Sequence, residues 1–168
     1  GRSEAAFTAI DGAHTARWEG RQVRVSLRDV DRVHVLGADR DAVDTGSPHV
    51  VVRVSDPDAV AIMEAGPAIR YAPEHAPGGT NVNFMGLRDG VVRMRTYERG
   101  VEAETLSCGT GVTAAALSAM ATLGLSSPVE VHARGGVLQV EAERHGAGFL
   151  QVRLIGPVKE VYRGTFVL

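Results

Sequence analysis

The chain has 168 residues, 44% of them hydrophobic and 23% charged, with 20 Gly, 7 Pro and a single Cys. That composition belongs to a soluble globular protein with one sizeable core or two small ones. One cysteine excludes an internal disulfide framework, and no close Cys/His cluster offers a zinc-ribbon site. Lys and Arg number 18 against 20 Asp and Glu, a formal net charge of −2. There is thus no electrostatic ground for nucleic acid as a partner, and no charge-free apolar run reaches the roughly 18 residues that span a membrane. No apolar signal-peptide core follows Gly1-Arg2-Ser3-Glu4. With an unpaired thiol, this leads us to expect a reducing, cytoplasmic setting.

Ala6–Ile10 reads as a strand and Asp11-Gly12 as a hairpin turn. His14–Trp18 pairs back, Glu19-Gly20 turns the chain again, and Gln22–Leu27 alternates polar and apolar at period two. These segments predict a three-strand antiparallel meander with one wet face. Asp29–Asp44 is dense in Asp, Arg and Gly, with one apolar patch at Val33–Leu36, and reads as a linker between two subdomains. Val50–Val54 is expected to be a buried strand. Asp56-Pro57 opens a short helix, with Asp at the N-cap and Pro at the first helical position, ending near Gly66-Pro67. Tyr71–Gly79 carries Pro73, Pro77, Gly78 and Gly79 and reads as loop. Asn81–Leu87 and Val91–Tyr97 form a strand pair about Arg88–Gly90, and Glu98–Ser107 is polar and irregular.

From Cys108-Gly109-Thr110-Gly111 a helix runs to Leu123, with Gly124 as its stop. It carries no charged residue, and a helix apolar all round is a buried helix. Ala114, Ala115, Ala116, Ala119 and Ala121 leave room for close neighbours. The fold class that follows is α+β: a mixed or antiparallel curved sheet wrapped around a central buried helix. The tail reads as further strands at Val129–Ala133, Val137–Ala142, Phe149–Leu154 and Pro157–Phe166.

Cys108 is the candidate chemical centre. The first N–H groups of a helix lack intrahelical partners and carry the positive end of its dipole. A thiol there is expected to have a lowered pKa, and the N–H groups of Gly109 and Thr110 can hold an anion such as a carboxylate. Glu98-Arg99-Gly100 leaves a strand just before this helix. An adjacent Glu and Arg can address a zwitterion, or form an ordinary solvated surface pair. Asn81 and Asn83 share one face of a strand and can serve a ligand or simply form turns. His49, after Ser47-Pro48, can tune the thiol, act as a base or be structural.

At these residues the chain resembles a known family. Tyr97–Ala116 (YERGVEAETLSCGTGVTAAA) looks like the signature of the second domain of diaminopimelate epimerase. Asp44–His49 and Gly79–Phe84 resemble two further family segments in the right order, and Phe7–Gly12 resembles the segment that closes the first domain. The resemblance divides the chain into a remnant of the first domain (1–42), the second domain (43–156) and a C-terminal strand (157–168) that returns to the first. It implies a cofactor-free epimerase that inverts the α-carbon of diaminopimelate, LL to meso, in lysine and cell-wall precursor biosynthesis, with two thiols on opposite faces and no metal. Carried over, Cys108 is one catalytic thiol, and Gly109 and Thr110 hold the α-carboxylate. Glu98 and Arg99 bind the charged groups, Asn81 the distal end, and His49 and Glu98 modulate the thiol. Ser47 stands where many members carry Asn.

The partner cysteine of that family lies in a first-domain segment not found in these 168 residues. The expectation is therefore a C-terminal portion, with one catalytic thiol, that needs a missing N-terminal half or a partner chain for the second and is inactive alone. A homodimer, or association through an uncovered meander face, is also expected. Two other readings compete: a related-fold amino-acid racemase or isomerase, and a non-catalytic binding or dimerisation domain. A thiol hydrolase would need His49 beside Cys108 and an orienting third group.

Overall fold

The computed structural model describes residues 3–165. Its first three strands, β1 (Glu4–Ala9), β2 (Gly12–Glu19) and β3 (Gln22–Ser26), form the expected antiparallel meander. The segment read as a linker instead holds two strands, β4 (Val33–Val35) and β5 (Arg40–Asp44). Its charged residues misled the pattern, because β5 is short and draws its order from pairing with β6 (Pro48–Arg53).

The helix expected after Asp56-Pro57 is split. A single 3₁₀ turn at Pro57–Ala59, capped by the Asp56 side chain, precedes α1 (Ile62–Arg70). The helix does not stop at Gly66-Pro67. Gly66 lies so close to Tyr97 that an added Cβ would sit 2.5 Å from its ring. Packing of Ile62, Ala65 and Ile69 in a cluster with Val50, Val52, Val82, Phe84 and Tyr97 carries the chain past the proline. Strands β7 (Asn81–Arg88) and β8 (Val91–Glu98) follow, and a short β9 (Ala103–Thr105) pairs with β8 inside the stretch read as irregular.

Helix α2 spans Gly109–Thr122 with Cys108 at its N-cap. Strands β10 (Val129–Ala133), β11 (Gly136–His145) and β12 (Gly148–Pro157) complete the fold. Among the described residues the strand expected over Pro157–Phe166 does not form: β12 ends at Pro157 and the chain is irregular from Val158 to Thr165. Phe166, with Val167, Leu168, Gly1 and Arg2, lies outside the described residues.

The sheet is mixed, in the order β1-β2-β3-β12-β11-β10-β8-β7-β6-β5-β4, with β6–β7 and β8–β10 parallel. From β12 to β4 it wraps around α2, which touches every one of those eight strands. A bridge between Val30 and Phe149, with Val33 N–H donating to Ala147 C=O at 3.2 Å, joins the two ends into a closed wall. Ten consecutive residues, Gly111–Met120, are buried in α2. Five of the ten, Gly111, Ala114, Ala115, Ala116 and Ala119, carry a methyl group or less, which lets the strands pack closely around the helix. Strand alternation then sorts the wall. Val50, Val52, Val82, Phe84 and Tyr97 face outward to α1, while Val51, Met85, Val92 and Met94 face α2. Among the described residues no helix is long and apolar enough to cross a membrane.

Candidate active site

The same alternation decides which polar groups meet the start of α2. On β6, His49 shares the inner face with Val51; on β7, Asn81 and Asn83 share it with Met85; on β8, Thr96 and Glu98 share it with Met94. Register places His49 beside Asn81 and Asn83 beside Thr96. These residues therefore gather at one end of the barrel, where α2 begins.

Cys108 occupies the leading turn, as the sequence led us to expect. The first intrahelical bond, Val112 N–H to Cys108 C=O, is 2.8 Å long, so the N–H groups of Gly109, Thr110 and Gly111 have no partner within the helix. The sulfur lies 3.4 Å from Thr110 Oγ1. Its residue is 8% exposed, and this overturns the expectation of a lowered pKa. Burial pushes the thiol above its usual range. The Thr110 hydroxyl and the N–H groups of Gly111 and Thr110 pull it down, and the negative charge of Glu98 pushes it up again. Desolvation outweighs the helix terminus, so Cys108 is a thiol at neutral pH.

Glu98 and Arg99 are half-buried, and among the described residues neither enters an ion pair. This departs from an ordinary surface pair and leaves both charges without a charged partner among the described residues. Glu98 accepts from Thr105 Oγ1 at 2.7 Å. Arg99 N–H donates to Asn81 Oδ1 at 2.9 Å. The turn that carries them is pinned from below. Arg70 and Tyr71 both bind Glu102, at 2.9 and 2.7 Å, and Gly100 N–H donates to the same carboxylate at 2.9 Å. These contacts, Arg70 foremost, bring the Glu102 pKa down to about 2.

Asn81 spends its amide inside the protein: Nδ2 donates to Ser47 Oγ and to Pro48 C=O, both at 3.1 Å. His49 is 1% exposed, and burial followed by the charge of Arg99 lowers its pKa to about 3. It is neutral at physiological pH. Its ring nitrogens lie 3.0 Å from Ser47 Oγ and 3.1 Å from Asn83 Nδ2, and among the described hydrogen bonds none joins it to Cys108. The His–Cys pairing that a thiol hydrolase requires is therefore not formed.

Sequence reasoning singled out Asn83 without assigning it a role, and missed Thr45, Arg70, Thr96 and Glu102. Thr45 Oγ1 donates to Thr110 C=O at 3.1 Å, holding the helix start against the end of β5. For Thr96 the signal was available: it lies two residues before Glu98 on a strand and so shares its face. Arg70 and Glu102 are 32 residues apart and gave no such signal. A groove of about 680 Å³ on the meander and the adjoining β12, lined by Glu4, Thr15, Arg24 and Arg153 among others, shares no residue with this site. Among the described residues no group of three or more His, Cys, Asp or Glu is placed to hold a metal ion.

The sequence profile described as diaminopimelate epimerase matches residues 41–160. A diaminopimelate epimerase of Aquifex aeolicus is 40% identical over 158 residues, covering 86% of this chain and 54% of its own length. One from Flavobacterium psychrophilum is 34% identical over 167 residues, covering 98% of this chain and 65% of its own. The chain thus spans a little over half to about two thirds of these relatives. Among solved structures, a Pseudomonas aeruginosa protein described as a predicted epimerase matches 100% of this chain and 68% of its own, with a TM-score of 0.60 at 17% identity. At that identity the likeness is one of fold.

Proposed function

The chain belongs to the diaminopimelate epimerase family, and from that premise we propose that it supplies one of two acid–base thiols in the inversion of the α-carbon of diaminopimelate. The observation that carries the reading is Cys108 at the mouth of α2, beside N–H groups that have no partner within the helix, with Glu98 and Arg99 nearby and, among the described residues, in no ion pair.

The α C–H is a very weak acid, so its removal needs a placed base and a held carboxylate. In this mechanism the N–H groups of Gly109 and Thr110 hold the α-carboxylate, which takes up negative charge as the α-proton leaves. A thiolate on one face takes that proton and becomes a thiol. The electron pair left on carbon accepts the Cys108 proton from the opposite face, and Cys108 becomes a thiolate. One proton leaves and one arrives, and the two sulfurs exchange protonation states. The raised pKa of Cys108 suits the proton-delivering half of this cycle. Glu98 takes the ammonium, Arg99 a carboxylate, and Asn81 orders Ser47 and Arg99 towards the distal end. The sequence contains one cysteine, so the second thiol comes from polypeptide beyond these 168 residues, and the chain by itself does not invert its substrate.

Solvent-exchange measurements test this. Diaminopimelate in deuterated water, with the chain joined to the N-terminal half of a curated relative, is expected to gain one α-deuterium with inversion. Cys108→Ala abolishes the inversion. Exchange of another amino acid with none on diaminopimelate would favour the related racemase reading instead. Absence of exchange on any amino acid, with an ordinary thiol alkylation profile for Cys108, would favour a non-catalytic domain.

A further inference from the structure

The polar groups behind Cys108 form a chain whose donor direction can be worked out bond by bond. Asn83 is 0% exposed, and its amide orientation is set by its surroundings. Val50 C=O can only accept, and it lies 3.3 Å from Asn83 Nδ2. On the other side Thr96 Oγ1 donates to Asn83 Oδ1 at 2.9 Å. A flipped amide would set two carbonyl oxygens against each other at Val50. The second Nδ2 hydrogen therefore points to His49 Nδ1 at 3.1 Å, which must accept it.

A neutral imidazole with an accepting Nδ1 carries its proton on Nε2. That N–H then donates to Ser47 Oγ at 3.0 Å. Ser47 Oγ also accepts from Asn81 Nδ2. With both lone pairs taken, the Ser47 hydroxyl can act only as a donor. Every bond from Thr96 through Asn83 and His49 to Ser47 thus runs in one direction. Gly111 makes this possible, since a Cβ there would sit 2.5 Å from Asn83 Oδ1.

We propose that Asn83 is a positioning residue: it holds His49 in the Nε2–H tautomer and thereby makes the Ser47 hydroxyl an obligate donor to a carboxylate-type acceptor of the bound amino acid. The use of that hydroxyl by substrate rests on the function proposed above; the tautomer does not.

Imidazole ¹⁵N NMR of the protein reads the tautomer without substrate. His49 is expected to show a protonated Nε2 and a bare Nδ1, unchanged from about pH 5 to 8. An Nδ1–H signal, or titration near the ordinary histidine value of about 6.5, would overturn the proposal. In Asn83→Asp a carboxylate faces Nδ1, so the proton moves to Nδ1, Nε2 becomes an acceptor, and the Ser47 hydroxyl turns back to it. In the joined enzyme this variant should raise KM for diaminopimelate about fivefold with a smaller change in kcat, the loss of one hydrogen bond. Ser47→Ala should give the same rise and keeps the test open if Asn83→Asp melts early. An unchanged KM in Ser47→Ala sinks the substrate half of the proposal. If wild-type joined enzyme shows no exchange while the tautomer is as stated, the proposed function fails and the Asn83 assignment stands.

Discussion

The wall around α2 and the β1–β3 meander are built from strands of similar length and similar alternation, yet one is buried and the other open. In the wall, one face meets a helix whose central ten residues are all buried, and part of the other meets α1. In the meander all of β1 is exposed, and Phe7 and Trp18 keep 45% and 53% of their surface. The meander is tied in through the β3–β12 ladder and by Arg24, which bridges Glu19 to Glu141 of β11. A period-two pattern makes a strand, but a strand face is buried only if a second layer exists to cover it.

The contrast can be broken most strongly from the inside. Leu117→Ala, at a fully buried site in α2, should cost about 2–5 kcal/mol in denaturant unfolding. Trp18→Ser in the meander should change stability by no more than about 0.5 kcal/mol. Comparable losses at both sites would mean that the meander is covered in solution.

The two regions should also respond to pH in opposite directions. His49 has a folded pKa near 3, below its unfolded value of about 6.5. The unfolded chain takes up that proton first, so barrel stability falls as pH drops from about 6.5 towards 3, by at most ~1.4 kcal/mol per unit. His14 in the meander has a raised pKa, chiefly through the Ser26 carbonyl and then Asp11. Its contribution is full below about 6.5 and is lost as pH rises through the raised value. Thermal melts from pH 4 to 9 of wild type, His49→Gln and His14→Gln check this: the first variant should flatten the acid limb and the second the alkaline limb.

The smallest effect is expected at the joint. Glu141→Gln should cost about 0.2–1 kcal/mol and matter less at high salt. Amide exchange should report it in β2 and β3 and leave α2 unchanged.

Local pattern was enough for the meander, the β7–β8 hairpin and the charge-free helix with its stop at Gly124. The segment around Glu98, Arg99 and Cys108 was likewise legible, because its residue types at that spacing are distinctive. Three features depended on contacts between distant parts of the chain. Strands β5 and β9 exist because neighbours pair with them, although their own residues carry weak β signals, and β4 is a three-residue strand that pairs with β5. Helix α1 passes Pro67 because Tyr97 and Phe84 reward its packing. The Cys108 pKa rises because sheet closure removes water from a helix terminus that, judged alone, would lower it. Backbone periodicity is a property of consecutive residues, and so the sequence by itself determined it. Solvation of one sulfur and the proton position on one imidazole depend on which strands lie beside them, and only the tertiary structure decided those.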